Sequence, residues 1–198
     1  MNDQDISQVP PALEAIRRDT ERLGFTMASE SRTGSLLRTL AATKRGGQFL
    51  ELGTGTGVGT AWLLAGMDAN SRLQSVESDA KVLEVAQRHL GHDRRVRFHL
   101  TDGAAFLAES RQQFDLIYAD TWPGKFTHLD LALSLVRIGG VYLVDDLLPQ
   151  PSWPEGHAPK VPALMKDLEG RNGFVCTKLA WASGLIVLVR TALADSRS

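Results

Sequence analysis

The chain has 198 residues, 22 basic against 23 acidic side chains, a net charge of −1 and a 43% hydrophobic content. Those values suit one ordinary soluble globular domain with a sizeable core. They give no electrostatic case for a nucleic-acid partner, which needs a concentrated basic surface. A single cysteine, Cys176, excludes an intrachain disulfide.

Residues Met1 to Gln8 are polar and acidic, unlike a secretory leader, and no apolar run approaches membrane-spanning length. A cytoplasmic protein with no membrane partner is the expectation. Residues 10–23 read as a helix, with Leu13, Ile16 and Leu23 on one face and Gly24 as its stop. A second helix is expected over Glu30–Thr43. Strands are expected at 48–52, 73–76, 95–99, 114–119 and 140–145. Helices are expected between them at 58–67, 79–90, 103–110 and 127–136. That alternation implies a parallel sheet joined by crossover helices. After a proline-rich run, 147–159, come a helix near 159–170 and two strand-like runs, 174–180 and 185–190. The four residues between those runs are short enough for an antiparallel hairpin. The expected domains are an N-terminal helical segment (1–24), a catalytic domain (25–191) and a tail (192–198).

The most informative stretch is Glu51-Leu52-Gly53-Thr54-Gly55-Thr56-Gly57. An apolar strand ends on an acid and breaks into alternating glycines before a helix. Such a junction brings backbone close to a ligand at the carboxyl edge of a sheet. A Walker loop is excluded, because no lysine follows the glycines. A dinucleotide fingerprint fits poorly, because Thr60 stands where its third glycine belongs. An acid ahead of the loop repels phosphate and attracts an ammonium or sulfonium, which favours a cofactor such as S-adenosylmethionine.

Glu77 ends the next strand, where a carboxylate can grip a ribose diol or charge a helix N-terminus. Asp102, after Thr101 and before Gly103, can accept from an adenine amino group or cap the following helix. Asp120 ends the strand Phe114–Ala119, and Asp145-Asp146 end the strand after Gly139-Gly140. Three carboxylates at one sheet edge repel unless a cation lies between them, and hard divalent ions such as magnesium take such oxygens.

This pattern resembles the class I S-adenosylmethionine-dependent methyltransferases over roughly residues 25–190. Within them it resembles the cation-dependent O-methyltransferases of the catechol and caffeoyl-CoA type. The resemblance implies a Rossmann-like α/β fold: a mostly parallel seven-stranded sheet, helices on both faces and a C-terminal antiparallel hairpin. It implies an O-methyltransferase acting on a small hydroxylated acceptor, with S-adenosylmethionine as cofactor, and a homodimer. The cofactor set it implies is Met27, Glu51, Gly53, Thr54, Gly55, Gly57, Thr60, Glu77, Ser78, Thr101, Asp102, Gly103 and Asp120. The metal ligands it implies are Asp120, Asp145 and Asp146. Met27-Ala28-Ser29-Glu30, ahead of a helix containing Gly34, resembles the family's lead-in, and Trp122 falls at a family tryptophan. One departure stands out. The family lysine three positions after the first metal aspartate is Pro123 here, with Lys125 two residues on and His128 beyond it. Asp120 and Lys125 are the candidate catalytic residues. A metal-independent protein that binds the cofactor is the main alternative, ahead of an NAD(P)-dependent oxidoreductase.

Overall fold

The computed structural model describes residues 2–192. The expected tail, beyond residue 192, lies outside them. Two helices, α1 (Leu13–Leu23) and α2 (Ser31–Ala42), precede the first strand. Gly24, at φ +72°, closes α1 in the left-handed conformation that favours glycine. Then follow β1 (Gln48–Leu52), α3 (Val58–Gly66), β2 (Arg72–Glu77), α4 (Ala80–Leu90), β3 (Val96–Leu100) and α5 (Gly103–Glu109). The second half holds β4 (Phe114–Ala119), α6 (Leu129–Ser134), β5 (Val136–Val144), α7 (Val161–Glu169), β6 (Phe174–Leu179) and β7 (Leu185–Arg190).

The seven strands form one sheet in the order β3-β2-β1-β4-β5-β7-β6. Strands β1 to β5 pair in parallel, and β7 runs antiparallel to both β5 and β6. The fold class is therefore the one expected. Its physical basis is alternation along each strand. In β1, Phe49 packs with Leu13, Leu37 and Trp62 on one face. Leu50 and Leu52 pack with Leu107, Leu133 and Leu164 on the other. Each face is thus sealed by helices, and the central strands are apolar on both sides.

Two boundaries differ from expectation. The helix expected at 127–136 is only α6, and β5 begins at Val136 instead of residue 140. The register between β4 and β5 jumps from Phe114↔Val136 to Leu116↔Val141. Residues 137–140 form a bulge there, with Gly139 at φ +76°. Leu133 and Val136, at helical spacing, read as a continuing helix because periodicity does not register a bulge. Among the described residues, no helix is long and apolar enough to cross a membrane.

Sheet order reverses between β1 and β4: β2 and β3 lie to one side of β1, β4 and β5 to the other. The carboxyl ends of β1 and β4 diverge at that reversal, which is where open α/β sheets form ligand crevices.

Candidate functional site

A cavity of about 380 Å³ opens at this crevice. Gly53, Thr54, Gly55 and Gly59 line it from the β1–α3 junction, Glu77 and Asp79 from the end of β2, and Asp120, Trp122 and Lys125 from beyond β4. Met27, Ser29, Asp146 and His157 also line it.

The glycine loop is held against its neighbours. The amides of Gly53 and Thr54 both donate to Val76 O at 3.0 Å. Gly53 has φ +95°, and a Cβ there would lie 2.7 Å from Asp120 O. No side chain fits that approach, so glycine is required both by conformation and by space. Glu77 pins the loop as well as the next helix. Its carboxylate accepts from Gly55 N at 2.9 Å, Ser78 N at 2.8 Å and Asp79 N at 3.0 Å.

Glu51 lies beneath the loop, fully buried. Its Oε2 accepts from Thr60 Oγ1 at 2.5 Å and Ser75 Oγ at 2.6 Å. Its Oε1 is buried without a partner, against the backbone of Gly59, where a Cβ would approach it to 2.5 Å. Burial pushes the carboxyl up to about 7, against the two hydroxyl donors that lower it. An orphaned buried acceptor behind a glycine that lines the cavity fits a ligand carrying a cationic amine.

Not every residue of the expected cofactor set reaches the cavity. Met27, Gly53, Thr54, Gly55, Glu77 and Asp120 line it; Glu51, Gly57 and Thr60 stand behind it. Ser78, Thr101, Asp102 and Gly103 are not in its lining. Of the two roles open to Asp102, the structure displays the cap: its side chain accepts from Ala104 N and Ala105 N at the start of α5.

The acids at the ends of β4 and β5 do share one edge, beside a smaller recess lined by Glu30, Asp120, Asp145 and Asp146. Their arrangement is not that of a ligand set. Asp145 is buried, and both its oxygens are taken: Oδ2 accepts from Tyr118 OH at 2.6 Å, and Oδ1 accepts from Asp146 N at 2.7 Å and from the Ser183 hydroxyl. Lys125 Nζ lies between the other two acids, 3.9 Å from Asp120 Oδ1 and 4.0 Å from Asp146 Oδ2. It donates to Asp145 O at 3.1 Å. Among the described residues no three His, Cys, Asp or Glu side chains are grouped to hold a metal ion. The residues present therefore do not fit the expected divalent cation. Asp145 is satisfied by its own hydrogen bonds, and the space between Asp120 and Asp146 already faces an ammonium.

Burial raises both Asp120 and Asp145, chiefly by desolvation. Asp145 repels a second charge on Asp120, Asp146 does the same to Asp145, and Lys125 offsets part of this. Tyr118 is held well above its ordinary value by burial and by the two acids, so it remains a neutral donor. Ser29 donates to Asp120 Oδ2 at 3.2 Å and lies 3.1 Å from Tyr118 OH.

Sequence reasoning did not single out Tyr118, Ser183 or His157 for this network. Tyr118 had a signal. It is a hydroxyl in a mostly apolar strand, two residues before Asp120 and so on the same face. Ser183 lies in the hairpin turn, and nothing local marks it. His157 stacks on Trp153 with ring centroids 4.4 Å apart, and its Nε2 lies 3.0 Å from Asp146 O. Trp122, Pro154 and His157 line the cavity, and Trp153 stacks on His157 outside its lining.

Residues 50–147 match the family model described as Methyltransferase domain. This segment is a methyltransferase domain. It spans the strand ends that frame the cavity, from β1 to the residue after Asp146. Among curated relatives, the "Catechol O-methyltransferase" of Niastella koreensis is 28% identical over 123 residues, which cover 58% of this chain and 56% of that protein. The chain thus spans little more than half the length of that relative. Solved structures similar to it include the O-methyltransferase TomG from Streptomyces achromogenes, in complex with SAM. It has a TM-score of 0.81 at 22% identity, over 96% of this chain and 93% of that one. The O-methyltransferase from Bacillus cereus, in complex with SAH, has a TM-score of 0.81 at 19% identity, over 95% and 94%. At those identities the likeness shows that the methyltransferase fold extends beyond the matched segment to nearly the whole chain.

Proposed function

We propose that the protein is an S-adenosylmethionine-dependent O-methyltransferase acting on a hydroxyl of a small acceptor. One observation carries this reading: the acid-backed glycine loop and the polar cluster around Asp120 line the same cavity. A cofactor end and a proton-accepting end are thereby within one enclosure. The Niastella relative's description as a catechol O-methyltransferase supports the same reaction class.

Glu77 lines the cavity and accepts three backbone amides, and its remaining lone pairs would take a ribose diol. Glu51 Oε1 would balance the charge of an amino-acid ammonium. Bound S-adenosylmethionine supplies an electrophilic methyl group on a sulfonium. The chain's own task is to align an acceptor oxygen and take its proton. Asp120 lines the cavity and is a stronger base than an ordinary carboxylate, because burial and Asp145 raise it. Lys125 and Ser29 orient it through charge and hydrogen bonding. Trp122 and His157 close the acceptor side and restrict water. No divalent cation enters this scheme, because Lys125 stands where one would be needed.

Calorimetry with S-adenosylhomocysteine and with NAD tests the cofactor. Binding of the first and not the second is expected, and tight binding of NAD alone overturns the reading. A turnover screen with hydroxylated acceptors follows. There, Asp120→Asn is expected to lower kcat by roughly 10²-fold or more while S-adenosylhomocysteine still binds.

A further inference from the structure

Lys125 is a cation with only 2% of its surface exposed, set among three carboxylates. Its position is built into the backbone. The amides of Lys125, Phe126 and Thr127 all donate to Trp122 O, and Gly124 N donates to Thr127 O at 2.7 Å. Gly124, at φ +92°, packs so that a Cβ would meet Leu52 Cδ1 at 2.7 Å, and its carbonyl accepts from the Tyr142 hydroxyl. The Pro123-Gly124 turn is therefore anchored on β1 and β5, and it swings the lysine inward between the ends of β4 and β5.

A divalent ion bridging Asp120 and Asp146 needs oxygens at about 2.0–2.6 Å. The ammonium is nearly equidistant from the same two carboxylates, at 3.9 and 4.0 Å, and it also holds Asp145 O. Two cations in that space would repel strongly. We propose that Lys125 is the fixed internal cation of this site, excluding a divalent ion and replacing it as the charge that gathers Asp120 and Asp146. Its consequence for turnover, independence of added metal, rests on the methyltransferase reading; its consequence for metal binding does not.

The test uses the full chain, titrated with Mn²⁺ and followed by the electron paramagnetic resonance of free Mn²⁺. Wild type, Lys125→Met, Asp146→Asn and the double variant are compared. Calorimetry with S-adenosylhomocysteine runs in parallel as a check of folding and of the cofactor site. Wild type is expected to take up no Mn²⁺ at the cluster in the millimolar range. Lys125→Met is expected to gain about a hundredfold or more in Mn²⁺ affinity, and the added Asp146→Asn to abolish that gain. Chelator is expected to leave the wild-type S-adenosylhomocysteine affinity unchanged. Wild-type Mn²⁺ uptake that Asp146→Asn removes would overturn the proposal. So would a folded Lys125→Met variant that gains no Mn²⁺ affinity. If Lys125→Met does not fold, the wild-type and Asp146→Asn titrations decide alone. Failure of wild type to bind S-adenosylhomocysteine strikes the proposed function, leaving the lysine to be judged by Mn²⁺.

Discussion

Glu51 shows how one residue can link stability to ligand binding. Its carboxyl sits at about 7 in the folded protein, against an ordinary value of 4.5. Between those values the folded chain keeps a proton that the unfolded chain has lost. Stability therefore falls as pH rises through that window and is flat above it, by an amount on the order of 3 kcal/mol. Glu51→Gln is expected to abolish this slope and to make the free protein more stable at pH 8, as read from urea denaturation at pH 5 and pH 8. A cationic amine near Oε1 favours the charged form, so S-adenosylhomocysteine should bind more tightly as pH rises towards 7 and release a proton. The same variant should lose that dependence and bind more weakly. Tyr118→Phe probes the neighbouring network. It leaves Asp145 Oδ2 without its 2.6 Å donor, a loss expected to cost about 1–3 kcal/mol in denaturant unfolding. These environments were only partly legible in the sequence. An acid before alternating glycines announced a charged partner, but burial, which sets the value near 7, is a tertiary property.

Elements were more legible than their ends. The strands of the parallel half were readable because each is a short run, apolar in succession or in alternation, set between helical stretches. The junction of α6 with β5 was not, because a bulge at Gly139 interrupts the register without interrupting the apolar pattern. Packing between elements also reverses a local preference at Gly34 in α2. Alanine normally stabilises a helix interior by about 1 kcal/mol over glycine. Here a Cβ would lie 2.2 Å from the Trp62 ring of α3, and Trp62 is fully buried. Gly34→Ala is therefore expected to destabilise by roughly 1–3 kcal/mol, seen as a lower Tm with α2 pushed off α3. An unchanged or raised Tm would mean that the two helices separate without cost.

At the scale of the molecule, a ligand that binds only the folded chain must raise its stability. S-adenosylhomocysteine at a hundred times its Kd should add about 2.7 kcal/mol, a Tm rise of several degrees that NAD at the same concentration does not reproduce. The sequence by itself determined the fold class, since alternating strands and helices followed by a short hairpin leave few topologies. It also determined that a cofactor loop and three acids meet at one sheet edge, because parallel strands direct their carboxyl ends the same way. It could not determine what lies between those acids. The spacing from Asp120 to Lys125 is compatible with a side chain on either side of the turn. Only the anchoring of Pro123-Gly124 on Leu52 and Tyr142, residues remote in sequence, turns the ammonium inward. Likewise, Asp145 reads as a free carboxylate until Tyr118 and Ser183 are brought to it. Chain-local patterns fix where charges end up on a sheet; which of them are satisfied depends on contacts between distant segments, and those exist only once the chain has packed.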